Sequence, residues 1–231
     1  MNFGPDVSNY QSQLTHAHAE ALVAGGCSFV MIGRQWRNTS APIQREHLRA
    51  AGITNIGEYL ISLGGAWPVL FPETRYVAVD VEPGSEFTTE GDIDNALAWI
   101  REQRRTPLIY SASWAWAALG LGAVTKYGEE GIGLWNAHYD GATNGFELPT
   151  PFGGWTRCVI DQYTDSWQDR PEIPFPLDMN ACDESFWIAP ESSPPVPSSS
   201  HATNARRSPS PATLPIAAPR CVGSSRRRTR R

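Results

Sequence analysis

Two carboxylates one residue apart, Asp80 and Glu82, close the apolar run Val77-Ala-Val-Asp-Val-Glu82. A strand turns successive side chains to opposite faces, so Asp80 and Glu82 share one face with Ala78, while Val77, Val79 and Val81 take the other. The two acids then stand roughly 6.5–7 Å apart along the backbone. Crowded carboxylates raise one another's pKa, so one of them can stay protonated near neutral pH and serve as a general acid. Asp6 and Asp178 each fall near the C-terminal end of a predicted strand as well. In a barrel of parallel strands those ends converge on one face, where barrel active sites sit, and the four acids would meet there. Each also has a plainer use: Asp6 can cap a turn, Asp178 can hold a loop amide, and an acidic cluster can bind Ca²⁺ or Mg²⁺.

The elements that must position these acids alternate along the chain. Asn2 to Ser8 reads as a strand, Gln11 to Ala24 as a helix stopped by Gly25-Gly26, and Ser28 to Gly33 as a strand buried on both faces. Pro42 to Ala51 is a helix with Pro at its first turn and Gly52 at its end, and Ile53 to Ile61 is the next strand. A loop with Gly64-Gly65 and two prolines leads to Tyr76–Glu82, then to a helix from about Thr88 to Arg104, with Ile93, Leu97 and Ile100 on one side. Strand Pro107–Ser111 and a short helix over Ser113–Gly120 follow. Strands at Gly131–Ala137, Arg157–Tyr163 and Phe175–Met179 are then joined by loops rich in Gly and Pro. Eight mostly parallel strands without a GxGxxG phosphate loop predict an α/β fold. We expect a single irregular TIM-like (β/α) barrel, its helices lost in the last third, rather than an open doubly wound sheet.

At 231 residues and 41% hydrophobic, the chain can bury one substantial core, and the composition divides it into a body, residues 1–189, and a tail, residues 190–231. The tail is rich in Pro, Ser and Arg with no apolar periodicity, and reads as disordered. It can alternatively be an electrostatic tether, through Arg226-Arg-Arg-Thr-Arg-Arg231, or a non-native reading of the gene. The tail holds eight Arg and one acid, Glu191, a balance of +7 that leaves −12 on the body. So acidic a body argues against nucleic acid as its ligand. Cys27, Cys158, Cys182 and Cys221 have neither zinc-site nor disulfide-framework spacing, although a single bridge is open to them. No run reaches membrane-spanning length and the N-terminus lacks a signal-peptide pattern, which fits release through a membrane lesion and equally an incomplete N-terminus. Nine Trp, seven Tyr and eight Phe supply flat apolar faces of the kind that bind sugar rings, or simply pack a core.

Seven short segments in order sharpen this reading. They are Phe3-Gly-Pro-Asp-Val-Ser-Asn-Tyr-Gln11, Phe29-Val-Met-Ile32, Val79-Asp-Val-Glu82, Pro107-Leu-Ile-Tyr110, Leu134-Trp-Asn-Ala-His-Tyr139, Gln162-Tyr163 and Leu177-Asp-Met-Asn180. Together they resemble the ordered motifs of glycoside hydrolase family 25 lysozymes, which are N-acetylmuramidases, over roughly residues 3–188.

The resemblance implies a monomeric hydrolase of the β-1,4 bond between N-acetylmuramic acid and N-acetylglucosamine in bacterial peptidoglycan. It would act on the cell wall outside the cell, with no metal, no organic cofactor and no membrane contact. It implies Glu82 as proton donor and Asp80 as its partner, either a nucleophile or a group that steadies the substrate's own attacking 2-acetamido. Acids at i and i+2 lie side by side rather than flanking a bond, which favours the second role. Asp6 and Asp178 match two further family acids. Tyr59, Tyr110, Trp135, Gln162 and Tyr163 match positions near the sugar groove, with core packing at strand ends the alternative for Tyr59, Tyr110 and Trp135. A chitinase- or glucosaminidase-like hydrolase, or an inactive wall-binding barrel, would share these features. Two departures stand near the groove. Gly33-Arg-Gln-Trp-Arg37 replaces an Ala-Thr-Glu-Gly-like segment and brings cations, and Leu60-Ile61 follows Tyr59 where His-Phe is usual.

Overall fold

The computed structural model describes residues 1–35, 39–141, 145–167 and 171–188. Its strands, in chain order, are β1 (Asn2–Val7), β2 (Phe29–Gln35), β3 (Asn55–Ser62), β4 (Tyr76–Asp80), β5 (Thr106–Ser111), β6 (Gly133–Ala137), β7 (Glu147–Phe152), β8 (Trp155–Arg157), β9 (Ile160–Trp167) and β10 (Leu177–Cys182). Helices α1 (His16–Ala24), α2 (Ala41–Ala50), α3 (Glu90–Glu102), α4 (Ser113–Ala118) and α5 (Lys126–Glu129) all fall between β1 and β6. Eight strands close a barrel in the order β1-β10-β9-β6-β5-β4-β3-β2, and β7 pairs with β8 as a separate hairpin. The expected irregular barrel is the one formed, and among the described residues no α-helix follows β6, only a 3₁₀ turn at Glu184–Trp187.

Local chemistry explains where the elements differ from expectation. The helix expected from Gln11 starts at His16, because two caps divide that stretch. Ser8 and Gln11 close a capping box over a short 3₁₀ turn at Asn9–Gln11, and Thr15 caps α1 by accepting from the His18 amide. The strand expected over Arg157–Tyr163 is split between β8 and β9. β10 runs antiparallel to both β9 and β1, whereas the strands from β1 round to β9 run parallel. A parallel neighbour needs a crossover of about a dozen residues or more, and the stretch from Trp167 to Leu177 is shorter than that.

Side chains from the strands sort into an inner and an outer layer. Phe29, Met31, Tyr59, Ala78, Leu108, Tyr110, Trp135 and Ile160 fill the barrel interior. On the outside, Val77, Val79 and Val81 meet Ile93, Leu97 and Ile100 of α3. Burying each of these aliphatic side chains contributes about 1.5–3 kcal/mol, and their alternation is what turns Ala78 and Asp80 inward. The inner layer is tight: a Cβ on Gly4 would stand 1.9 Å from the Phe29 carbonyl oxygen, so β1 approaches β2 this closely only with glycine there.

Met1–Ala189 form one compact unit, and the tail reading for residues 190–231 lies outside the described residues. Cys27, Cys158 and Cys182 are buried, Cys158 and Cys182 as free thiols. Among the described residues no helix is long and apolar enough to cross a membrane, and no three His, Cys, Asp or Glu side chains are grouped to hold a metal ion.

Candidate active site

Asp80 is the last residue of β4, and the Val81 amide extends the ladder by donating to the Tyr110 carbonyl at 2.9 Å, so the alternation continues and Glu82 returns to the inner side. Asp6 lies directly opposite Asp178 in the β1–β10 register. The sequence puts Asp178 near the end of a strand running with the others; the structure puts it near the start of a strand running against them. The reversal carries it to the same end of the barrel. Asp6, Asp80, Glu82 and Asp178 line one pocket of about 350 Å³.

Tyr59, Tyr110 and Trp135 also line that pocket, and the Trp135 ring meets both tyrosines edge-on, at 5.3 Å from Tyr59 and 4.7 Å from Tyr110. These rings are nearly wholly buried, so the packing reading and the groove reading both describe them. Gln162 is buried behind the lining. Its side-chain N–H donates to Asp6 at 2.7 Å, and its oxygen accepts from the Tyr110 and Tyr139 hydroxyls at 2.8 and 3.0 Å. Tyr163 is not brought to the pocket. One residue after Gln162 on the same strand, its side chain points to the outer layer, where it packs edge-on to Phe3 at 6.5 Å.

The pocket raises the pKa of every acid in it. Burial is the largest cause throughout. It brings Asp6 up to about 6 against hydrogen bonds from Asn180, Gln162 and Tyr59 that favour its charged form. Asp178 is pushed up to about 8 by burial and then by the charges of Asp6, Asp165 and Glu82. Asp80 is raised well above the usual carboxylate range by burial, then by Glu82 and Asp6, and Glu82 is raised by burial and Asp6. Asp80 Oδ1 is buried with no hydrogen-bond partner. The arrangement can therefore hold a proton near neutral pH and offers one unsatisfied acceptor to whatever enters.

Of the cations expected at the groove, Arg34 is placed otherwise. Arg34 points outward from β2 to the fully buried Glu58, donates from Nη2 to the Val69 carbonyl at 3.0 Å, and lies 4.6 Å over the Phe71 ring. Glu58 also accepts from the Thr74 hydroxyl at 2.6 Å and the Phe71 amide at 2.9 Å. Gln35, one residue on, faces the pocket, and Ile61 lines it as well. Trp36 and Arg37 lie outside the described residues. Tyr10 and Asn180 were missed as individuals, although both stand in motifs that the sequence singles out. Tyr10 is exposed at the pocket's rim on the turn that Ser8 and Gln11 cap, and Asn180 is buried against Asp6.

Neither a protein-family model nor a curated protein matches the sequence. Solved structures do. A muramidase from Acremonium alcalophilum is similar over 79% of this chain and 94% of its own, at a TM-score of 0.58 and 20% identity. The spore cortex lytic enzyme SleM of Clostridium perfringens is similar over 80% of this chain and 68% of its own, at 0.57 and 19%. At such identities the likeness is one of fold. The barrel implied by the resemblance to family 25 lysozymes is the barrel found, and this chain shares it with a muramidase and a cortex lytic enzyme.

Proposed function

We propose that this pocket hydrolyses the β-1,4 bond between N-acetylmuramic acid and N-acetylglucosamine in peptidoglycan, as a lysozyme-type glycoside hydrolase acting on the bacterial cell wall. The observation that carries the reading is the convergence of four acids in one pocket, with Asp80 Oδ1 unpaired beside Glu82. The structural neighbours, a muramidase and a spore cortex lytic enzyme, support it.

Glu82 is the more exposed acid of the pair and protonates the leaving glycosidic oxygen. Asp80 Oδ1 accepts the N–H of the substrate's 2-acetamido group, whose carbonyl oxygen attacks the anomeric carbon as the C–O bond breaks. Water then opens the resulting ring, giving its proton back to Glu82. Burial and the neighbouring carboxylates raise both Asp80 and Glu82, so the pair together keeps a proton. An acetamide N–H on the orphan oxygen favours the Asp80 anion, so substrate binding itself moves the proton to Glu82. Asp6 and Asp178 keep the pocket acidic, and Tyr59, Tyr110 and Trp135 wall it. The reaction so written needs carboxylates and water alone, and a monomer suffices because every group comes from one chain.

Chitinase- or glucosaminidase-like hydrolysis would use the same pair, since either sugar carries the acetamide. The altered Arg34 to Arg37 segment speaks mildly for a barrel that only binds walls, and of its cations Arg34 is engaged with Glu58. The test compares wild type, Glu82→Gln and Asp80→Asn on purified cell walls. Glu82→Gln should lower the clearing rate by about 10²–10⁴-fold. Undiminished clearing by Glu82→Gln refutes Glu82 as the acid, and binding without clearing by wild type refutes hydrolysis.

A further inference from the structure

The pocket holds four carboxylates, and no Lys or Arg among the described residues lines it. An anion kept there must be held by neutral donors. Among the described residues three side chains donate to Asp6: the Asn180 N–H at 3.0 Å and the Gln162 N–H at 2.7 Å, both on Oδ2, and the Tyr59 hydroxyl at 3.3 Å on Oδ1; its own backbone amide adds to them. The facing titratable groups are Tyr59 of β3, Asp80 and Glu82 at the end of β4, Tyr110 of β5, Tyr139 after β6, and Asp178 of β10. Each is neutral or anionic and none can neutralise Asp6.

Asn180 does not line the pocket; it is fully buried behind it. Its amide orientation is fixed from one side. Trp135 Nε1 is a donor only, and it sits 2.7 Å from Asn180 Oδ1, so the Asn180 nitrogen must face the other way. There it meets two acceptors, Asp6 Oδ2 and the Gly4 carbonyl at 3.2 Å. The indole that walls the pocket thereby aims the amide at the carboxylate on its floor.

Resting on the hydrolase reading above, we propose that Asn180 is a positioning residue: wedged between Trp135 and Asp6, it holds the Asp6 carboxylate in place as an anion and so sets the charge against which the Asp80–Glu82 pair shares its proton. Asp6 contributes to the raised pKa of Asp80, Glu82 and Asp178 alike. Loss of its anion lowers all three.

The test is a ¹³C-carboxyl NMR titration of Asp6 in the full chain, in wild type, Asn180→Leu and Trp135→Phe, each checked by thermal melt for folding. Asn180→Leu should move the Asp6 midpoint up by about one pH unit, and Trp135→Phe, which frees the amide to turn, should move it the same way by less. In wall clearing by Asn180→Leu both limbs of the pH profile should move to lower pH, because Asp80 and Glu82 each lose their proton earlier without the Asp6 charge beside them. A merely structural role would lower the melting temperature and the amplitude without moving either limb. An Asp6 midpoint unmoved in Asn180→Leu overturns the proposal; if that variant does not fold, an unmoved midpoint in Trp135→Phe does so. The titration needs no activity, so a failure of the hydrolase reading, seen as undiminished clearing by Glu82→Gln, is separable from a failure of this one.

Discussion

At the scale of single residues, the pocket holds its buried acids at a cost in stability. A carboxylate whose pKa is higher folded than unfolded favours the fold most below its ordinary value, and that contribution is lost as pH rises through the folded one. Asp6 at about 6 and Asp178 at about 8 therefore predict a melting temperature that falls between pH 5 and pH 8.5. Asp178→Asn removes one of these acids. It should flatten the fall and raise the melting temperature at pH 8, by about 2–4 °C for each kcal/mol relieved, while clearing of walls declines; an unchanged melt at pH 8 would mean that Asp178 carries no strain. Clearing by wild type should peak on the acid side of neutrality, since Glu82 must keep its proton and its anionic neighbours must have lost theirs. The four acids were legible as residues because period-2 alternation fixes which face a side chain takes. Asn180 was not, since an asparagine's role depends on what stands on either side of it, here Trp135 and Asp6.

At the scale of elements, the parallel strands and the helices before β6 were legible from apolar runs and capping residues. The last strand's direction was not, because nothing in Leu177–Cys182 itself says which way it runs; the length of the connection before it decides. Its placement at the right end of the barrel survived that error, since an antiparallel strand presents its start where parallel strands present their ends. The link from β3 to β4 shows a second limit. Gly64-Gly65 and the prolines forbid a helix there, and the chain is instead strapped down by Glu58, which gathers Arg34, Thr74 and the Phe71 amide. In the sequence Glu58 stands between Gly57 and Tyr59 with nothing to mark its partners, which lie 13 to 24 residues away along the chain. Removing one partner of a buried ion pair costs about 3–5 kcal/mol, so Arg34→Met should lower the melting temperature by about 6 °C or more. A loss within one degree would show that Thr74 and Phe71 suffice to hold Glu58.

At the scale of the whole molecule, the barrel closes between Asn2 and Cys182, and every acid of the site lies inside that span. We propose residues 1–189 as the complete catalytic unit. The 1–189 protein should then melt within about 2 °C of the full chain and clear walls at a comparable rate at moderate salt. The tail's +7 against the body's −12 makes wall adsorption the property that its removal should change, most strongly at low ionic strength. The bond cut and the acid that cuts it are read together by mass analysis of the reducing ends, after borohydride reduction, in digests of purified peptidoglycan by wild type and Glu82→Gln. Wild type should leave reduced N-acetylmuramic acid at the new ends, and Glu82→Gln almost none. Reduced N-acetylglucosamine at those ends, or equal yields from both proteins, would contradict the account.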